Sequence, residues 1–209
     1  QVALYSLAIA LIFLTIAIPL QLDGSWITVT WAAQGSVMIW LGLFIRNWRL
    51  RVLGLAVLGI VAFRLIIFDT QIDLNNYRFL MNSRLPTFVF AISAFYASAL
   101  FYRRRQGNLE TWELNISLVL AGVANLLTVW LISIESISYF DSRAIDLSFQ
   151  QQAMDWETDM VSDKIFVITA LWAIYSFGLL GVALAKSSRM LRWAGIGLLS
   201  VTAIKFIII

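Results

Sequence analysis

With 209 residues, 61% of them hydrophobic and 13% charged, the chain departs from a soluble domain, which is about 45–50% apolar and about 25% charged. It holds no cysteine and no histidine, which excludes disulfides, thiol catalysis, zinc sites built on nitrogen or sulfur, and histidine-ligated haem within these residues. The net charge of +3 does not point to nucleic acid, because the basic residues cluster in short turns between apolar runs.

A membrane-spanning helix needs about 20 mainly apolar residues, and the chain offers about seven such runs. The first covers 2–20 and stops near Pro19 and the turn Gln21-Leu22-Asp23-Gly24. The second covers 26–45. After Arg46-Asn47-Trp48-Arg49 the third covers 50–68, and a polar, mixed segment from Asp69 to Arg84 follows. The fourth covers 85–102 and closes on Arg103-Arg104-Arg105, and the fifth covers 111–135. An acidic stretch from Asp141 to Asp163 reads as a solvated loop, with Asp155-Trp156-Glu157 as a candidate short interfacial helix. The sixth covers 165–185 and the seventh 190–209. Neither Gln1 nor Ile209 looks like a natural terminus, so the chain is expected to be a segment of a longer protein. The expected fold is all-α, a polytopic bundle of membrane helices, with lipid and further helices of the full chain as its partners.

Charge in the connections orients the spans. The turns 46–51, 103–110 and 186–192 hold Arg46, Arg49, Arg51, Arg103, Arg104, Arg105, Lys186, Arg189 and Arg192, nine of the fifteen basic residues. With seven spans all three fall on one side. Asp23, Asp69, Asp73, Asp141, Asp146, Asp155, Glu157, Asp159 and Asp163 fall on the other. The basic side is then cytoplasmic. Trp26 and Trp156 suit the outer interface and Trp48, Trp112 and Trp193 the inner one, whereas Trp31, Trp40, Trp130 and Trp172 lie deeper and are expected to pack helices together.

Sliding the chain by 141 residues lays 31–68 on 172–209 without a gap. Trp31-Ala32 meets Trp172-Ala173, Leu50-Arg51 meets Leu191-Arg192, Gly54 meets Gly195, and Arg64 meets Lys205. Both copies run in the same direction, which describes an array of parallel-orientation helix hairpins with the fourth and fifth spans as a third, weaker member. Gly54 and Gly195 are expected to permit close helix approach.

The run Pro19-Leu20-Gln21-Leu22-Asp23-Gly24-Ser25-Trp26, followed by Trp31-Ala32-Ala33-Gln34-Gly35 and Trp40-Leu41-Gly42, resembles a large bacterial family of predicted membrane proteins of unknown function. Its pattern is close to P-L-x-L-D-G-x-W, then W-A-x-E-G. Arg192-Trp193-Ala194-Gly195, Glu135 with Tyr139-Phe140, and Asn82-Ser83-Arg84 are similar to further elements of it. The resemblance implies a bacterial cytoplasmic membrane and no nameable activity. Where that family commonly has Glu, this chain has Gln34.

Ionisable and amide side chains inside spans cost about 2.5–3.5 kcal/mol at the bilayer centre when charged, and so invite a reason. Arg64, Lys205, Glu135 and Gln34 fall in the outer half of the membrane, and Asn125 near the midplane. One reading joins the first four into an outward-facing polar cavity, with Arg64 and Lys205 holding an anion or pairing with Glu135. The other has the long bases snorkel to the interface, the Glu hydrated, and Asn125 in an interhelical hydrogen bond. No phosphate-binding loop, nucleophile elbow or metal motif is present, and no cofactor is expected. Three functions remain open at this point: transport or substrate handling through the outer cluster, a structural scaffold of the cell envelope, and an enzyme acting on lipid-linked glycans with Glu135 or an outer aspartate as base.

Overall fold

A computed structural model describes residues 2–71, 77, 79, 82–105, 109, 113, 115–149, 156–185 and 189–208. Among these residues the chain is all helical. The elements are α1 (Val2–Gln21), α2 (Ser25–Phe44), α3 (Trp48–Ile67), α4 (Arg84–Arg104), α5 (Ile116–Phe149), α6 (Trp156–Ala185) and α7 (Arg189–Ile208). Five are long and apolar enough to cross a membrane: α2, α3, α4, and the stretches Ile116–Ile145 and Ser162–Val182 of α5 and α6.

Local signals set most ends. Pro19 sits in the last turn of α1. Arg46 takes a left-handed backbone angle (φ 58°) between α2 and α3. Asn47 then starts α3, its side-chain oxygen accepting the Arg49 N–H at 3.0 Å, which satisfies one of the donors a helix start leaves open. Asn82 does the same before α4, accepting from Leu85 N–H at 3.0 Å.

The acidic stretch from Asp141 corrects the sequence reading. α5 does not stop near 135 but continues to Phe149, and α6 begins at Trp156 rather than 165. The segment read as a loop is therefore largely helical. No glycine or proline lies between Gly122 and Gly178, so nothing in the chain breaks a helix when its apolar run ends, and backbone hydrogen bonds continue into the polar region. Lys164 of α6 donates to Asp141 of α5 at 2.6 Å, tying the two extensions together. The side chains of 146–161, including Asp146, Asp155, Trp156, Glu157 and Asp159, lie outside the described residues, as do Asp73 and the side chains of Trp112, Lys186, Arg189, Arg192, Trp193 and Lys205.

The helices fall into two compact units. One holds α1 to α4 and the first part of α5; the other holds residues 73–80, the rest of α5, α6 and α7. In the first unit α2 packs on both α3 and α4, and in the second α6 packs on α7. Large apolar side chains remain exposed along both, among them Phe13, Val37, Phe63, Leu126, Phe166 and Ile174, as lipid-facing helices require. Trp40 and Trp130, expected to pack between helices, are instead 49% and 40% exposed.

The closest approach within the first unit is between α2 and α3. A methyl group on Gly54 would lie 2.8 Å from the Gly35 carbonyl oxygen and 2.8 Å from Ile39 Cγ1. Backbone meets backbone there, leaving no room for any side chain. In the second unit a methyl on Gly195 of α7 would lie 2.9 Å from Leu180 Cγ and 3.3 Å from the Ser176 carbonyl oxygen. Gly35, Ile39 and Gly54 are each 141 residues before Ser176, Leu180 and Gly195, so both hairpins close on the same register.

Alanine normally stabilises a helix over glycine by roughly 0.5–1 kcal/mol. Gly59→Ala, where the added carbon meets nothing within 4 Å, is expected to follow that rule. Gly54→Ala is expected to reverse it, costing about 1–3 kcal/mol through overpacking. Thermal unfolding of the two variants in detergent micelles checks the opposite signs.

Candidate functional site

Proline has no N–H, so Pro19 cannot bond the carbonyl of Thr15 four residues earlier in α1. The indole N–H of Trp31, on α2, donates to that carbonyl at 3.0 Å. Gln34, three residues on and therefore on the same side of α2, donates from Nε2 to Leu11 O at 3.1 Å and Thr15 Oγ1 at 2.7 Å. The Thr15 hydroxyl itself donates to Leu11 O at 2.8 Å. The P-L-x-L-D-G-x-W and W-A-x-Q-G runs are thus two halves of one joint. A helix weakened by proline is repaired by the next helix. Gln34 is buried, and its Oε1 has no hydrogen-bond partner among the described residues.

Arg64 lies in the last turn of α3, beside Trp31, and is likewise engaged. Its Nε donates to Thr28 Oγ1 at 2.9 Å and its Nη2 to Gly24 O at 3.0 Å. The Thr28 hydroxyl, fully buried, donates in turn to Asp69 Oδ2 at 2.5 Å. The direct Arg64–Asp69 separation is 3.9 Å, so the threonine bridges guanidinium and carboxylate. The rings of Phe68 and Trp31 flank the guanidinium at 5.6 and 6.0 Å. One side chain thereby joins the α1–α2 turn, α2 and the end of α3. Arg84, buried at the start of α4, donates to Thr70 O at 3.0 Å and fixes the next helix to the same corner.

In the second unit Glu135 is buried and accepts from the Tyr77 hydroxyl, which lies 2.9 Å from Glu135 Oε1 and 3.2 Å from Glu135 O. Phe79 meets Tyr139 edge-on at 5.4 Å. Tyr77 and Phe79 are thus held on α5. Trp172 of α6 donates its indole N–H to Ser133 Oγ of α5 at 2.8 Å. In the first unit, Asn125, of which an interhelical bond is expected from sequence, donates to Ala121 O of its own helix at 2.7 Å. Lys205 lies in α7, and its side chain falls outside the described residues.

The sequence reading missed a buried ion pair. Arg51 Nη2 lies 2.7 Å from Glu113 Oε2, with side chains 3% and 0% exposed. Arg51 sits in the first turn of α3 and Glu113 just before α5; Tyr102 of α4 is fully buried and feels both charges. The Tyr102 hydroxyl and Arg51 Nε and Nη1 have no hydrogen-bond partner among the described residues. A signal existed: Arg51 falls within the expected third span and Glu113 within the expected fifth, and two opposite charges in apolar runs invite pairing.

Chemically, these groups are suited to holding helices together. The described candidates donate or accept within their own unit, and among the described residues no group of three or more His, Cys, Asp or Glu is placed to hold a metal ion. The family described as predicted membrane protein (DUF2339) matches residues 1–79 and 64–209, and the chain belongs to it. Its function is unknown. No curated protein and no solved structure matches the chain.

Removing one partner of a buried ion pair costs about 3–5 kcal/mol, while replacing both with apolar groups of similar size is often neutral. Glu113→Ala is therefore expected to unfold at a markedly lower temperature in micelles. The double variant Arg51→Met with Glu113→Leu is expected to recover most of the loss, as read by the same thermal scan.

Proposed function

We propose that this chain is a structural scaffold of a membrane, a helix-hairpin array that holds partner helices in a fixed register. The observation that supports this reading best is the use made of the intramembrane polar groups. Arg64 ties three segments together through Thr28, Gly24 and Asp69, Trp31 and Gln34 bond α1, and Tyr77 bonds Glu135 of α5. A guanidinium already neutralised by a bridged carboxylate has little attraction left for a diffusing anion. The array is a repeat of hairpins, 31–68 and 172–209, with basic turns facing the cytosol of a bacterial cell, since arginine-rich turns resist translocation.

A second reading, substrate handling at the outer half of the membrane, draws on Gln34, whose buried Oε1 has an open acceptor site among the described residues. In this reading Arg64, Lys205, Glu135 and Gln34 contribute to recognition.

The two readings separate in cells. Expressed in the full-length protein, Gly54→Leu is expected to collapse the native membrane complex to a smaller species on blue native electrophoresis. Lys205→Gln and Gln34→Ala are expected to leave its size unchanged and the cellular phenotype intact. Loss of phenotype in Lys205→Gln or Gln34→Ala with the complex unaltered would favour substrate handling instead.

A further inference from the structure

Within the first unit α4 lies along α2. Thr28, Ala32 and Ser36 recur every four residues and so form one stripe of α2. At that stripe Ser36 Oγ donates to Ala94 O at 3.1 Å and lies 3.1 Å from Ser98 Oγ, its partner hydroxyl on α4. Thr28 and Ala32, with Leu58 and Val61 of α3, are almost completely buried. The α4 face that turns inward carries Phe88, Ala91, Ala94, Phe95 and Ser98, all buried.

The corresponding stripe in the second unit, 141 residues on, is Thr169, Ala173 and Phe177 of α6, with Leu199 and Thr202 of α7. There an open apolar groove of about 320 Å³ is lined by Phe166, Thr169, Ala170, Ala173, Leu199, Thr202 and Ala203, with Thr169 and Thr202 buried at its floor and Phe166 exposed. Phe177, in the place of Ser36, is 63% exposed, and Leu184, in the place of the 2% exposed Leu43, is 70% exposed. The hairpin has the seam of the first, Gly195 on Ser176 and Leu180, but lacks among the described residues the helix that covers it. The alanines and threonines at the groove leave room for backbone-to-backbone approach, the feature that favours a helix over mobile acyl chains as occupant.

We infer that the α6–α7 groove is the seat of a membrane helix built like α4: apolar, with aromatic residues toward Thr169 and Ala173, and alanine or serine opposite Phe177. This rests on the scaffold reading and gives it the class of partner. The occupant is recognised by shape, through aromatic rings entering between small residues, rather than by charge.

These 209 residues hold no cysteine, and any cysteine elsewhere in the full-length protein is replaced by serine so that each reporter is single. Nitroxide labels at Ala173→Cys, Ala203→Cys and, on the exposed side of α7, Val201→Cys are placed in the full-length protein in phosphatidylcholine vesicles. Groove labels are expected to show several-fold lower accessibility to oxygen than the Val201 label. Where a groove label is oxygen-accessible, a transmembrane peptide of residues 84–105 is added. It is expected to lower that accessibility, while the same peptide carrying F88A and F95A does not.

Groove labels that match Val201 and do not respond to the peptide would overturn the inference, lipid being the occupant. That result leaves the scaffold reading standing as long as Gly54→Leu still breaks the native complex. An intact complex in Gly54→Leu removes the scaffold reading whatever the labels report.

Discussion

Hydrocarbon offers no hydrogen-bonding partner, so each polar group carried into it must find one within the protein. The first unit follows from that constraint. Pro19 opens the Thr15 carbonyl, and the chain answers with an indole from α2, beside an amide that bonds the Thr15 hydroxyl. In water the same carbonyl would simply be hydrated, and Trp31 would not have to face it. The demand for a partner therefore sets which side of α2 meets α1. With that side fixed, Gly35 and Gly54 bring α3 against α2, and Arg64 locks the end nearest the Thr15 joint, its guanidinium beside the Trp31 ring.

Two kinds of contact hold these helices, and they act at different depths. Glycine seams work in mid-helix, where close backbone approach yields dispersion contacts that lipid cannot displace. Polar ties work at the ends, where Arg64, Arg84 and Tyr77 bind carbonyls or carboxylates of neighbouring segments. Arg51 and Glu113 extend the second kind to the basic end of the hairpin. A protein organised this way has hairpins joined within and apolar outer faces. Buried polar atoms with no hydrogen-bond partner among the described residues lie at two places in the first unit, at Gln34 Oε1 and around Arg51 and Tyr102.

The helices were legible because spanning runs are long and uncharged, and their ends near Pro19, Asn47 and Asn82 carry recognisable local chemistry. Family membership was legible too, through Pro19 to Trp26 and Trp31 to Gly35, although only the structure gives those motifs a physical reason. The length of α5 and α6 was not. Apolar runs report where lipid begins, and a helix without glycine or proline continues past that point. Partners of Arg64 and Glu135 were also beyond reach, since Thr28 and Tyr77 are ordinary residues in sequence and become partners only when distant segments meet. Glu113 could have been found by asking why an acid begins an apolar run.

A double-mutant cycle on Pro19→Ala and Trp31→Phe tests the dependence of this fold on an internally satisfied carbonyl most directly. With alanine at 19 an N–H is restored for the Thr15 carbonyl, so loss of the indole should matter less. The stability change of Trp31→Phe, measured by unfolding in micelles, should shrink by about 1 kcal/mol in the Pro19→Ala background. Strictly additive effects, within about 0.3–0.5 kcal/mol, would mean that the proline and the tryptophan act independently and that the joint does not organise the helices.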